Sequence, residues 1–188
     1  MVIYWNERGI IFNNRYMDRP ASERNKIIRE LNSGKPEIIL EAVRKLRQTG
    51  NPSLLPYIIM VLHRTRTEEV RNSIIRFLND LKVQDSVDEL VKAIHNEVYD
   101  TEKEILVSAC WQSGLDFSDH IDTFVEIAIK EEYRLAFEAF TVVEQSISNC
   151  SNREINSYVS QIRQRIDHVD KDKKVLLGEM IRMLEDQI

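Results

Sequence analysis

Histidines, cysteines and clustered carboxylates are the residues through which this 188-residue chain could do chemistry. The four histidines, His63, His95, His120 and His168, fall on different helical segments or turns. No His-x-x-x-His or Glu-x-x-His pair sets two ligands on one helix face, so the spacing supports no metal site. Cys110 and Cys150 stand apart, each in an apolar helical context where a free thiol acts as a small hydrophobe. Asp85, Asp88 and Glu89, and again Asp116, Asp119 and Asp122, crowd around predicted helix starts. The helix macrodipole favours anions there, which accounts for them without acid/base catalysis. There is no Gly-rich phosphate loop, no Gly-x-Ser-x-Gly elbow and no Cys/His pairing. The expectation is a protein with no enzymatic activity, no cofactor and no metal.

Arg44, Lys45, Arg47, Arg64, Arg66, Arg71 and Arg76 gather in one stretch and could meet phosphates or an acidic partner. Residues 35–82 hold nine Lys/Arg against five Asp/Glu, whereas residues 83–145 hold four against fifteen. A continuous phosphate-binding track would need cations along its whole length. The acidic middle therefore argues against nucleic acid, and a solvated basic face is the simpler reading.

The elements that must position these residues are helices. Five Gly and four Pro are few for a chain this long, where about 7% and 5% are usual, so tight β-turns are scarce. A hydrophobic fraction of 43% with 30% charged residues is that of a folded chain. No apolar run approaches the roughly 20 residues of a membrane span. The opening Met1-Val2-Ile3-Tyr4-Trp5 is broken at once by Asn6-Glu7-Arg8-Gly9, with no basic leader, which leads to the expectation of a cytoplasmic protein.

Self-similarity organises the rest. Leu54, Val87, Ile121 and Ile155 recur at spacings of 33, 34 and 34 residues, each after a polar turn. Positions +3, +4 and +7 from these anchors are Tyr57, Ile58, Val61; Leu90, Val91, Ile94; Phe124, Val125, Ala128; and Tyr158, Val159, Ile162. Positions 0, 3, 4 and 7 share one stripe of about 100° on a 3.6-residue helix, so each segment has a face built for burial. The opposite positions, +2, +5 and +9, vary: Pro56, Ile59, His63; Glu89, Lys92, Asn96; Thr123, Glu126, Lys130; Ser157, Ser160, Gln164.

A second helical pattern precedes each anchor: Pro36–Gln48, Glu68–Asp80, Thr101–Gln112 and Leu135–Ser146. Pro36 suits a first helical turn. Thr101 with Glu104, Ser53 and Ser118 are candidate N-caps, and Gly50 and Gly114 are candidate helix stops. Ala21–Leu31 and Lys171–Glu185 are expected to close the two ends of the stack.

The turn Leu46-Arg47-Gln48-Thr49-Gly50-Asn51-Pro52-Ser53-Leu54-Leu55-Pro56 resembles the inter-helix turn of a HEAT repeat. Leu81-Lys82-Val83-Gln84-Asp85-Ser86-Val87 and Gly114-Leu115-Asp116-Phe117-Ser118-Asp119-His120-Ile121 are weaker copies, and Ser148–Ile155 departs most. The resemblance implies an all-α fold, a right-handed α-solenoid of about four to five helical hairpins over residues 21–188. It also implies a concave surface lined by the second helices, and a scaffold or adaptor role for another protein. The alternative is a nucleic-acid-interacting module using the basic first repeats.

Leu54–Leu62 is apolar on nearly every side, so something must cover Leu55, Ile59 and Met60. Two readings stand. Either an N-terminal arm, residues 1–20, covers them with side chains such as Trp5 and Phe12, or a partner does. Within that arm, Val2–Phe12 reads either as a β-hairpin around Asn6-Glu7-Arg8-Gly9 or as an irregular segment. The expected contact residues are Leu55, Ile59, Met60, His63, Lys92, Glu126 and Lys130.

Overall fold

A computed structural model describes residues 5–6, 9–10 and 19–188. Two short strands, β1 (Trp5–Asn6) and β2 (Gly9–Ile10), pair antiparallel with Trp5 opposite Ile10. The hairpin reading thus holds for these four residues, whereas the covering of Leu55 and Met60 by the arm lies outside the described residues. The helices are α1 (Arg19–Leu31), α2 (Pro36–Thr49), α3 (Leu55–Arg64), α4 (Glu68–Asn79), α5 (Ser86–Ile94), α6 (Lys103–Ser113), α7 (Ile121–Lys130), α8 (Tyr133–Ser146), α9 (Asn152–Arg165) and α10 (Lys171–Glu185).

They form two layers. In the first, α2 packs on α4, α4 on α6, α6 on α8 and α8 on α10. In the second, α1 packs on α3, α3 on α5 and α7 on α9. This is the stacking of an α-solenoid, in which each hairpin buries its core only against its neighbours. Of the sixteen stripe residues fourteen are buried, and Tyr57 and Tyr158 are half-buried against the same core. Each fully buried Leu or Ile in that stripe contributes about 1.5–3 kcal/mol.

Neighbouring hairpins are also pinned by side chains whose partners lie roughly one repeat away. Asn79 donates to Gln112 (2.7 Å), and the Lys82 amine to the Ser113 carbonyl (3.0 Å). Gln84 reads both backbone groups of Asp116, donating to its carbonyl (2.5 Å) and accepting its N–H (3.2 Å). Trp111 donates to Glu138 (2.5 Å), and Ser146 accepts the Phe117 N–H (3.2 Å). These bonds fix the register of the stack, while the buried stripe supplies most of its stability.

Helix ends correct three expectations. Gly50 and Gly114 do stop α2 and α6, with φ of 59° and 68°, and Pro36 opens α2. Ser53 is not an N-cap: it lies inside a 3-10 turn, Pro52–Leu54, whose cap is Asn51 accepting the Ser53 N–H (3.1 Å). Ser118 likewise sits inside the 3-10 turn Ser118–His120, with its N–H held by Asp116 (2.9 Å). Thr101 belongs to the 3-10 segment Glu97–Glu102 and gives its hydroxyl to Glu102 (2.9 Å) instead of capping α6. In each case a tight turn is interposed before the α-helix, which moves the cap upstream.

Candidate functional site

The outward positions of the second layer are exposed at Lys92 on α5, Glu126 and Lys130 on α7, and Ser157 and Ser160 on α9. Lys92 is exposed and bonded to Glu89 three residues earlier (2.7 Å). The Glu89 hydrogen bond and charge raise the pKa of the Lys92 amine. Glu126 and Lys130, exposed on α7, form an i,i+4 ion pair. That hydrogen bond, with the charge of Lys130, lowers the Glu126 carboxyl pKa. His63 is half-exposed at the end of α3, and its Nδ1 lies 2.8 Å from a Glu102 oxygen.

Leu55 and Ile59 do not belong to this face. They are 2% and 0% exposed and sit in the core. The helix α3 is packed by α1, α4 and α5 and also by the Glu97–Glu102 turn, so its fourth side is used as well. Met60 is half-buried. Of the seven expected contact residues, Glu126 and Lys130 touch each other, and Lys92, Glu126 and Lys130 are the exposed ones.

The sequence reading missed a polar cluster behind His63. Glu102 is 4% exposed and gathers His63 from α3, Arg71 Nη1 from α4 (3.9 Å) and the Thr101 hydroxyl. Tyr99 stands edge-on to His63, with ring centroids 5.7 Å apart. No pattern in the sequence flags it, because Glu102 falls at the start of the Thr101–Gln112 helical pattern.

A second polar region lies where α7 and α9 begin. Ser118, Asp119, Asp122, Cys150, Glu154 and Tyr158 line a cleft. Burial first, then the neighbouring carboxylates Glu154, Asp116 and Asp119, pushes the Cys150 thiol above its ordinary range. Burial, with Cys150, Asp122 and Glu154, pushes the Tyr158 phenol up to about 12. Both shifts favour the protonated, less nucleophilic forms of the two groups. Among the described residues no three His, Cys, Asp or Glu side chains converge as metal ligands. No described helix is long and apolar enough to cross a membrane.

The basic group is largely occupied. Arg44 pairs with Glu41, Lys45 with Glu30 (3.1 Å), Arg47 with Asp80 and Arg71 with Glu102.

Residues 25–110, spanning most of α1 through most of α6, match the family model of HEAT repeats. That stretch is a HEAT-repeat array. Past the matched residues, α8 packs on α6 and α10 on α8 in the first layer and α9 on α7 in the second, so the two helical layers continue. No curated protein matches the chain. HEAT repeats are commonly protein-interaction scaffolds and generally carry no catalysis.

Proposed function

We propose that this protein is a protein-binding scaffold whose contact surface is the outward face of the second-layer helices, centred on Lys92, Glu126 and Lys130 with Met60 and His63 at one end. The observation that carries the reading is the division of labour on α5 and α7. One stripe of each is packed, and on the opposite side Lys92, Glu126 and Lys130 are exposed charges, with Glu89 half-buried beside Lys92 and Thr123 buried. Curved helical stacks present such surfaces to extended partners. Intrachain pairing of four cations in the basic group supports a protein partner over a nucleic acid, because paired charges release fewer counterions.

The test is affinity capture with the full chain. Lys92→Glu with Lys130→Glu is expected to lose the captured proteins while the melting temperature stays within a few degrees. Arg44→Glu, on the first layer, is expected to keep them. Capture indifferent to the paired reversal removes this face from the reading. Salt-sensitive retention of DNA or RNA lost with Arg44→Glu would favour a nucleic-acid module in its place.

A further inference from the structure

The search for new chemistry leads to the one carboxylate buried among the described residues, Glu102. Taking a carboxylate out of water is costly, and a buried ion pair often gives little net stability over an apolar replacement. What such a pair does well is specify one arrangement, because every alternative leaves a charge unpaired. Glu102 draws its partners from three places: His63 on α3, Arg71 on α4, and Thr101 in its own turn.

Its position in the stack gives that arrangement a mechanical meaning. Glu102 ends the Glu97–Glu102 connection between α5 and α6, where Tyr99 departs from helical geometry (φ −105°, ψ 20°). This is also where the second layer is thinnest. Close packing joins α3 to α5 and α7 to α9, whereas α5 and α7 approach each other much less. Across that gap His95 Nε2 lies 3.2 Å from the Thr123 hydroxyl. The stack stays continuous through the first layer there, with α4 and also α5 packed on α6.

We infer that Glu102, His63 and Arg71 form a polar clasp on a joint between the α1–α5 and α6–α10 halves of the stack. Closed, the clasp ties the connection to α3 and α4; released, it lets α5 and α7 part while α4 and α5 stay packed on α6. The joint separates Lys92 on α5 from Glu126 and Lys130 on α7. On the proposed contact face, and only as far as that reading holds, the clasp therefore sets the spacing that a partner meets.

The experiment is amide hydrogen exchange, resolved by peptide, on the full chain and on Glu102→Gln. Exchange across residues 95–103 is expected to quicken by about tenfold or more, because the connection opens locally, while peptides within α8 and α9 keep wild-type rates. A uniform rise over all helices, or no change, overturns the clasp. If Glu102→Gln does not fold, His63→Gln removes one partner and leaves the carboxylate with Arg71 and Thr101. The same local pattern is expected, and its absence overturns the proposal. These readouts involve no partner, so they stand apart from the capture experiment: the clasp can hold with the contact face wrong, and the reverse.

Discussion

Two second-layer helices of ten residues each, α3 and α7, share a register and differ in fate. At the fifth position after the anchor, α3 carries Ile59, fully buried, and α7 carries Glu126, exposed and paired with Lys130. The buried stripes are equivalent. The difference lies in what surrounds each helix: α3 is packed by α1, α4, α5 and the Glu97–Glu102 connection, α7 chiefly by α8 and α9. Exposure at an outward position is thus decided by what else packs on the helix, and helix periodicity alone does not reveal it.

The sharpest way to break this comparison is to exchange the two residues. Ile59→Glu places an unpaired carboxylate in the core and is expected to cost about 4 kcal/mol or more, whereas Glu126→Ile should stay within about 1 kcal/mol, both read by chemical denaturation. Equal costs would mean that α3 has an open face after all. Val125→Asp, in the common stripe at 0% exposure, is expected to match Ile59→Glu, and an unchanged melt would remove the shared core.

Ile59→Ala should cost about 2–5 kcal/mol by cavity formation, measured the same way, where a surface residue would lose almost nothing. Ser151→Ala, which breaks the capping box with Glu154 at the start of α9, is expected to cost about 1 kcal/mol. At α10 the Lys173 N–H, followed by that of Asp172, bonds the Asp170 carboxylate and holds its pKa below 3.8. A depressed carboxyl stabilises above its unfolded value, and that contribution is lost as pH falls through the folded one. Asp170→Ala should therefore melt earlier than wild type at neutral pH, with the gap narrowing on acidification below 3.8. The smallest effect belongs to Lys130→Ala, a few tenths of a kcal/mol in a thermal melt.

The stripe was legible because burial repeats with the helix period and the anchors repeat with the hairpin. The caps at Ser53, Ser118 and Thr101 were misplaced because 3-10 turns precede the helices, and tight turns leave no periodic trace. Ser151 and Glu154 carry the capping-box spacing openly, but they lie in the unit whose turn least resembles the others. Lys173 could not have been read at all. It is buried, and its amine caps α7 by donating to the Ile129 carbonyl (2.7 Å) and to that of Glu131, more than forty residues away. Of the expected site, the charges on α5 and α7 were legible from polarity, while Leu55 and Ile59 depended on a neighbour that the local sequence does not reveal.

Cys110, at 0% exposure on α6, has its thiol proton directed at the Leu106 carbonyl (3.2 Å), and burial holds the group far above its ordinary pKa. Thiolate is the reactive form, so a water-borne alkylating agent meets it only when the middle of the stack parts. Cys150, half-buried, needs a much smaller excursion. The chain thus carries two timers of its own breathing, one deep and one shallow, and the ratio of their labelling rates reports how often the centre opens compared with the start of α9.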